Sequence, residues 1–403
     1  MDDQILKGLL SSETLYSQPS VIRDLTALAD KPDVLSLAGG WPAPEDFPIE
    51  EVTDIFNCLV GDYGSQMLQY GPTHGFLNLR KEIVKMLHNE GLKNLDPDEI
   101  LITHGSAQGM NLCSQVFINR DDVIIVENPT YIGGIGAIQL RGGKLKGVPL
   151  DNDGLDTQFL DHLLIELTRK GVKVKGLYLV PNFQNPTGVT LSLDRRRHLI
   201  DIADTHNIVI FEDDPYFELR FEGERLPSLK CLDQNGRVIH LRSFSKTFNP
   251  GMRLGWIVAD RRVIQKMITA KQFIDICTNS ISQFVLLEFM RRGLLEKQIK
   301  KNIEHYRKKR DFMLEQMQKY FPEEVSWNRP TGGFFIFIYL PKGMKSADLF
   351  TAALDRNIAF INAQSFFVDG SGNNTIRLSY SQADYEVIEI VIREIGSLIK
   401  ERL

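Results

Sequence analysis

Short runs of apolar, β-branched residues alternate with amphipathic stretches from about residue 98 onward. Continuous apolar runs of this kind are typical of strands that are buried on both faces of a mostly parallel sheet, with helices covering that sheet. The pattern therefore predicts an α/β fold with strands at residues 100–104, 123–127, 176–180, 208–212, 238–242 and 255–259.

The pattern changes after residue 260, where the sequence becomes strongly helical. Charged runs at residues 300–301 and 308–310 indicate solvated helix faces. Two strand-like segments, TGGFFIFIYLP and TIRLSYS, then flank the helical segment SADLFTAALDRN, which predicts a smaller α+β unit. The Gly/Pro-rich stretch LAGGWPAPEDFP, near the N-terminus, predicts a loop that crosses between lobes.

The length of 403 residues exceeds the size at which one hydrophobic core stops growing, so two structural domains are expected. The patterns place an N-terminal arm and substrate-covering segment at residues 1–46. A large ligand-binding domain follows at residues 47–290, and a small C-terminal domain occupies residues 291–403.

Composition narrows the function classes. Hydrophobic residues make up 43% and charged residues 25%, which is ordinary for a globular protein. The net charge of -5 gives no electrostatic reason to expect nucleic acid as a partner. The longest apolar run, at residues 334–340, is far shorter than the roughly 20 residues of a membrane span. We therefore expect a small-molecule ligand and no membrane association.

The N-terminus and the cysteines indicate the cellular compartment and the redox state of the thiols. The N-terminus, MDDQILKGLL, lacks the basic region and the long apolar region of a secretory signal, so a cytoplasmic location is expected. Cys58, Cys113, Cys231 and Cys277 are far apart and form no metal-binding spacing. The sequence therefore predicts buried, reduced thiols, with neither a disulfide nor a metal site.

A lysine occurs directly after a predicted strand, in SFSKTFNPGMRLGW at residues 243–256. In a partly desolvated pocket the amine of Lys246 loses some of its preference for the charged form and can condense with an aldehyde. Ser243 and Ser245 supply hydroxyl groups, and Arg253 supplies the planar cation of a phosphate anchor. A lysine taken alone is usually a surface residue, but this combination predicts pyridoxal phosphate as the cofactor.

Asp213 and Tyr216 lie just past another predicted strand, in VIFEDDPYFELRF. Pyridoxal phosphate needs an acid that keeps its pyridine nitrogen protonated and a donor at its phenolic oxygen. Asp213 suits the first task and Tyr216 the second. Asn185, in PNFQNPTG, could donate to the same oxygen. Either motif alone is also compatible with an ordinary turn.

Two more segments follow predicted strands. THGSAQGMNL opens a helix, so its backbone N–H groups and the Ser106 hydroxyl indicate an anion site, with a simple N-cap as the alternative. Tyr131, in ENPTYIGG, could lie on the pyridine face or pack in the core. Because ligands bind outside the carboxyl ends of strands in open α/β sheets, the convergence of five such segments favours one cofactor site.

Over nearly its whole length the sequence resembles the fold-type I pyridoxal-phosphate-dependent aminotransferases of class I, in the group of 2-aminoadipate, kynurenine and aromatic aminotransferases. The motifs occur in family order: SVIRDLTALADKPDVLSLAGGWPAPEDFP, QYGPTHGFLNLR, GSAQG, ENPTY, PNFQNPTG, EDDPY, SFSKTFNPGMRLGW, PTGGFFIF and NTIRLSYS. The resemblance implies a large domain with a seven-stranded, mostly parallel sheet covered by helices. It also implies a smaller α+β domain built from the C-terminal part and the N-terminal segment.

The resemblance implies residue roles at the cofactor ring. Lys246 is similar to the lysine that holds the cofactor as a Schiff base, and Asp213 to the partner of the pyridine nitrogen. Tyr216 and Asn185 are similar to the partners of the phenolic oxygen, and Tyr131 to the stacking ring.

The resemblance also assigns the two ends of the site. Ser106 by its side chain, and Ala107 and Gln108 by their backbone, resemble the phosphate cup, together with Ser243, Ser245 and Arg253. Ala107 departs from the polar residue that close relatives often carry at this position. Arg377, in TIRLSYS, is similar to the arginine that clamps the substrate α-carboxylate, although spacing alone predicts an exposed strand residue.

Four further residues take their expected roles from the resemblance. Tyr70 is similar to the tyrosine that reaches the phosphate of the neighbouring subunit, so a homodimer with shared active sites is expected. Gly39 and Gly40 resemble the loop beside the substrate, where the lack of a Cβ permits close approach. Arg23, in SVIRDL, is either a solvent-facing residue or the partner of a distal substrate carboxylate.

The resemblance predicts transfer of an amino group from an L-amino acid (2-aminoadipate, aromatic or branched-chain) to a 2-oxo acid, with 2-oxoglutarate as the expected acceptor. A carbon–sulfur β-lyase would use nearly the same residues and stays open as an alternative. An aminotransferase-like transcription regulator is disfavoured by the acidic net charge and by a resemblance that begins at about residue 17.

Overall fold

The fold is described from a computed structural model, which covers residues 2–11 and 33–403. Three groups of paired strands organise those residues. The strands are β1 Leu35–Ser36, β2 Ile100–Thr103, β3 Val123–Asn128, β4 Lys144–Asp151, β5 Gly154–Leu155, β6 Val174–Leu179, β7 Val209–Asp213, β8 Val238–Ser243, β9 Gly255–Val258, β10 Ser326–Trp327, β11 Phe335–Tyr339, β12 Ile358–Ala359, β13 Ile361–Asn362 and β14 Thr375–Ser379.

Helices separate most of these strands. Within the described ranges they are α1 Asp3–Leu9, α2 Ile49–Met67, α3 Leu77–Asn89, α4 Gly105–Phe117, α5 Ile132–Gln139, α6 Thr157–Arg169, α7 Leu193–His206, α8 Leu229–Leu232, α9 Arg261–Gln272, α10 Ser280–Arg291, α11 Leu294–Tyr320, α12 Ser346–Leu354 and α13 Tyr385–Lys400. None of them is long and apolar enough to cross a bilayer.

The large sheet has the strand order β2-β9-β8-β7-β6-β3-β4-β5. The five strands from β8 to β4 are parallel, whereas β9 runs antiparallel to both of its neighbours. The six strands expected from the apolar runs are confirmed, with bounds that differ by one or two residues. The sheet has one strand more than the seven expected, because the two-residue strand β5 folds back on β4 at the edge.

Helices cover both faces of this sheet. On one face, α6 and α7 bury a cluster that contains Leu177 and Ile210. On the other face, α4 packs on β8 and β9 and covers Leu241 and Ile257. Burying each such aliphatic side chain stabilises the fold by about 1.5–3 kcal/mol. The helices packed on both faces therefore hold the carboxyl ends of the parallel strands in fixed positions.

A second sheet, in the order β10-β11-β14-β13, forms in the C-terminal part of the chain. The expected strands of TGGFFIFIYLP and TIRLSYS are β11 and β14, and the expected helix between them is α12. Strand β1 pairs in parallel with β12, and this pairing ties residues 35–36 to the C-terminal part. The loop that follows β1 contacts both parts of the chain, because Arg377 on β14 donates to the Ala38 carbonyl and Lys246, after β8, donates to the Gly40 carbonyl.

Two expectations were wrong. The charged run at residues 308–310 is not wholly solvated, because the side chains of Lys309 and Arg310 are buried. Lys309 Nζ lies 3.1 Å from Glu45 Oε1, and Arg310 donates to the Pro330 carbonyl at 2.7 Å. The cysteines are all free thiols, but of the four only Cys113 is buried, while Cys58 is exposed.

Candidate active site

A cleft of about 340 Å³ opens at the carboxyl ends of the parallel strands and the N-terminus of α4. This is the position at which open α/β sheets bind ligands. The cleft brings together most of the site residues predicted from the sequence: Gly40, Ser106, Ala107, Tyr131, Asn185, Asp213, Tyr216, Ser243, Ser245, Lys246, Arg253 and Arg377.

Three predicted residues of the described chain do not line the cleft. The side chain of Gln108 donates to Asp275 at 2.7 Å and accepts from the backbone N–H of His104 at 2.9 Å, so it does not enter the cleft. Gly39 precedes the lining residue Gly40. Tyr70 lies beyond the end of α2 and is 75% exposed. Arg23 lies outside the described residues.

Lys246 follows β8 directly, at the end of a short 3₁₀ turn. Its Nζ donates to the Gly40 carbonyl at 2.9 Å and lies 5.7 Å from the centre of the Phe334 ring. Burial, followed by the charges of Arg253 and Arg377, lowers the pKa of Lys246 to about 8. A larger share of this amine is therefore uncharged near neutral pH than for an ordinary lysine, as attack on an aldehyde requires.

Asp213 ends β7 and is buried. Its Oδ2 accepts a hydrogen bond from the Tyr178 hydroxyl at 3.0 Å. Its Oδ1 is buried without a hydrogen-bond partner, although the Ser106 hydroxyl is close enough to lower the pKa of the carboxyl. Burial outweighs both hydroxyl groups and raises the pKa of Asp213 to about 6. An unpartnered carboxylate oxygen is costly in the interior, so this side chain is suited to meet a cation such as a protonated pyridine nitrogen.

Tyr216 and Asn185 lie side by side in the same cleft. Burial raises the pKa of the Tyr216 phenol, which stays protonated and able to donate, and the Asn185 side chain is within its hydrogen-bonding reach. The Tyr216 ring packs edge-on against Phe334 and Phe335. These contacts fix two polar groups where a ring oxygen could accept from both.

The phosphate end of the cleft is built on α4. No side chain caps this helix, and the first N–H groups of an α-helix have no partners within the helix. The Arg253 guanidinium lies close to this terminus. A Cβ added to Gly105, the first residue of α4, would lie only 2.8 Å from Arg253 Nη2. Ser243 and Ser245 share a 2.9 Å hydrogen bond beside it. Free N–H groups, hydroxyls and a guanidinium together form an anion site.

Arg377 lies on β14, across the cleft from the large sheet, and is buried. It donates to Asn185 Oδ1 at 2.9 Å and to the Ala38 carbonyl at 2.6 Å. Its guanidinium carbon lies 4.3 Å from the centre of the Phe335 ring, and burial lowers the pKa of the group to about 10. Arg377 is therefore a rigid, charged donor. The expectation of an exposed strand residue from spacing alone was wrong.

The walls of the cleft are aromatic. Tyr131 opens α5, and its ring has room because residue 133 is a glycine, at which a Cβ would lie 2.4 Å from Tyr131 Cε1. Position 40 likewise has no space for a side chain, because a Cβ added to Gly40 would lie 2.8 Å from the Phe335 ring. Trp41 lies on the same loop and also lines the cleft. Sequence reasoning missed Trp41, Phe335 and Tyr178.

These groups fit one kind of molecule. An amine of lowered pKa, an unpartnered buried carboxylate oxygen and an anion site around one small cleft match the aldehyde, the ring nitrogen and the phosphate of pyridoxal phosphate. When bound, this cofactor acts as an electron sink for charge that develops at the α-carbon of an amino acid. The fold and the site thus define a pyridoxal-phosphate enzyme.

Comparison with known proteins identifies the family. Residues 50–395 match the family described as aminotransferase class I and II. The chain is 38% identical to aromatic-amino-acid aminotransferase 1 of Thermococcus litoralis, over 98% of this chain and 94% of that protein. It is also 38% identical to 2-aminoadipate transaminase of Thermus thermophilus, over 95% and 94% of the two chains. The crystal structure of Pyrococcus horikoshii kynurenine aminotransferase in complex with PMP superposes with a TM-score of 0.95, at 38% identity and coverage of 99% and 98%.

The chain belongs to the class I and II aminotransferases. It has the fold of the type I pyridoxal-phosphate enzymes, uses pyridoxal phosphate and transfers amino groups between amino acids and oxo acids.

Proposed function

We propose that this aminotransferase takes its amino group from 2-aminoadipate, aromatic or branched-chain L-amino acids and passes it to 2-oxoglutarate, with Lys246, Asp213 and Tyr216 as its catalytic residues. The observation that carries this proposal is the meeting of the Lys246 amine, the Asp213 carboxylate and the Arg377 guanidinium around a single cleft. The relatives named for aromatic amino acids, 2-aminoadipate and kynurenine support the donor classes.

Each residue has a defined task. Lys246 holds the cofactor and, once its amine is free, takes the α-proton of the substrate, which the pKa of about 8 favours. Asp213 stays anionic against the ring nitrogen. Tyr216 and Asn185 donate to the ring oxygen, and Tyr131 covers the ring face.

The phosphate has its own set of donors. These are the Ser106 hydroxyl, the backbone N–H groups of Ala107 and Gln108, the hydroxyls of Ser243 and Ser245, and the Arg253 guanidinium.

Arg377 acts on the part of the substrate that all donors and acceptors share. Its guanidinium pairs with the α-carboxylate, while Gly39 and Gly40 let the loop backbone come close to the substrate. Truncating one partner of a buried charge pair costs about 2–5 kcal/mol, so Arg377→Ala should lower kcat/KM by roughly 30-fold or more for every substrate. Kinetics with a dicarboxylic, an aromatic and an aliphatic donor check this. A loss confined to one donor would contradict the assignment.

Specificity has two contributors. The aromatic walls formed by Trp41, Tyr131 and Phe335 suit apolar side chains. Arg23 would meet the distal carboxylate of 2-aminoadipate. Losing that charge-assisted pair should cost about 1.5–3 kcal/mol, or roughly 10- to 150-fold in kcat/KM, only for donors with a second carboxylate.

The deciding experiment assays the wild-type protein against a panel of amino acids with 2-oxoglutarate. The formation of glutamate indicates transamination, whereas pyruvate and ammonia formed without an acceptor indicate β-elimination. Arg23→Ala is then compared with wild type on 2-aminoadipate and phenylalanine, with an acceptor that lacks a distal carboxylate. Equal losses on both donors would give Arg23 a structural role instead.

A homodimer completes the proposal, together with the division of the chain at residues 46 and 290. The large apolar side chains Leu68, Phe273 and Ile276 are more than half exposed, and their burial against a second subunit would support this proposal. Tyr70 lines a shallow surface pocket together with Leu68 and Cys277 and would reach the partner's phosphate. Sedimentation of the holoenzyme tests this proposal, and a monomer that retains full activity would refute it.

A further inference from the structure

Tyr178 shares a sheet face with Asp213. It lies opposite Phe211 in the pairing of β6 with β7, and Asp213 follows Phe211 by two residues. Because side chains alternate along a strand, Tyr178, Phe211 and Asp213 all point to one side of the sheet. The Tyr178 hydroxyl consequently reaches Asp213 Oδ2 at 3.0 Å.

The surroundings of Tyr178 are shaped for this contact. The side chain is fully buried, and a Cβ added to Gly134 on α5 would lie 2.3 Å from its Cε1 and 2.9 Å from its hydroxyl. Gly134 therefore leaves the space that the phenol occupies. Burial raises the pKa of Tyr178 well above the usual range, so its hydroxyl stays protonated and donates to the carboxylate.

The contact gives the two carboxylate oxygens of Asp213 different surroundings. Oδ2 is held by Tyr178, and Oδ1 remains without a hydrogen-bond partner in the buried wall of the cleft. A phenylalanine at position 178 would fill the same volume but would leave both oxygens free. The hydroxyl thus fixes which oxygen is available and favours the charged form of the carboxylate.

We propose that Tyr178 is a positioning residue that holds Asp213 so that its free oxygen meets the pyridine nitrogen of the cofactor. The proposal rests on the role of Asp213 given above. It assigns Tyr178 an effect on the ring nitrogen alone, not on the phosphate, the aldehyde or the substrate.

The test compares the cofactor with an analogue that lacks the nitrogen. Cofactor-free wild type and Tyr178→Phe are titrated with pyridoxal phosphate and with 1-deazapyridoxal phosphate, whose ring carries carbon at that position. Loss of a hydrogen bond to a charged group should weaken binding of pyridoxal phosphate by about tenfold and leave the analogue within about twofold of wild type. Equal losses for both ligands, or no loss for either, would overturn the proposal.

Two further variants control the comparison. Tyr320→Phe removes the same kind of contact, a phenol that donates to the Glu389 carboxylate at 3.0 Å, outside the residues that line the cleft. It should bind both ligands as wild type does. Gly134→Ala keeps the phenol but pushes it aside, and should reproduce the selective loss even if Tyr178→Phe folds poorly. Unchanged selectivity in Gly134→Ala would count against the proposal.

Asp213→Asn separates this proposal from the one on which it rests. If Asp213 binds the ring nitrogen, Asp213→Asn abolishes the discrimination between the two ligands, and adding Tyr178→Phe then changes pyridoxal phosphate binding by less than about twofold. If discrimination survives in Asp213→Asn, the role of Asp213 fails. If Tyr178→Phe still costs tenfold in the Asp213→Asn background, only the role of Tyr178 fails.

Discussion

Two lysines lie near the first turn of α4, and the charges around their amines differ. Lys246 faces the cleft, donates to a backbone carbonyl and lies near the cations Arg253 and Arg377. Lys271 lies on α9, is fully buried and pairs with Asp275 at 2.6 Å. Its Nζ also lies 3.3 Å from Gln108 Oε1. Of these two lysines, only Lys271 has a carboxylate partner among the ion pairs of the described residues.

The difference shows that burial alone does not make a lysine reactive. Burial lowers the pKa of both amines, but Asp275 opposes that effect at Lys271 and favours its ammonium form. At Lys246 the neighbouring charges are positive and act in the same direction as burial. Lys246 can therefore become a nucleophile. Lys271 instead has a structural role, because it connects Asp275 to Gln108 on the phosphate-binding helix α4.

The largest expected effect separates the two lysines by function. Lys246→Ala should abolish both amino transfer and the visible absorption of the lysine-bound cofactor, because no other amine lines the cleft within the described residues. Lys271→Met is the matched control and should keep both. Absorption spectra and turnover with glutamate check this prediction, and wild-type turnover in Lys246→Ala would contradict it.

A smaller effect is expected on stability. Lys271→Met leaves Asp275 without its main partner, so the apparent free energy of unfolding should fall by about 2 kcal/mol. Asp275 is partly exposed, which keeps the loss below that of a fully buried pair. Urea unfolding of the cofactor-free protein measures the change. Unaltered unfolding would mean that the pair contributes nothing to stability.

The smallest effect concerns pH. Only the uncharged amine condenses with an aldehyde, so uptake of pyridoxal phosphate by the cofactor-free protein should speed up as pH rises through the pKa of Lys246, about 8, and level off above it. The rate at which the visible band appears, followed from pH 6 to pH 10 (about two units either side of that value), gives the midpoint. A rate that still climbs at the upper end would indicate an ordinary lysine pKa.

The strands of the fold could be predicted where they are apolar throughout. Strand β4 was missed because KLKGVPLD alternates polar with apolar residues and is mostly exposed or half-buried. The antiparallel direction of β9 was not predicted either, because an apolar run has no direction in the sequence. The burial of Lys309 and Arg310 depends on Glu45 and Glu222, which lie far away along the chain.

The site was predictable where polar residues follow apolar runs, as at Asp213 and Lys246. Tyr178 was not predictable in this way, since it lies inside the apolar run GLYLV and has the pattern of a core residue. Its function depends on register with a neighbouring strand. Phe335 was missed for the same reason, because its contact with Arg377 is made across two paired strands.

The central claim is that the Lys246 amine binds the cofactor covalently. The most direct test reduces the holoenzyme with borohydride, digests it and locates the phosphopyridoxyl group by mass spectrometry. The structure predicts the group on Lys246, in the peptide that contains SFSK. A group found on Lys271 or on any other lysine would contradict the account.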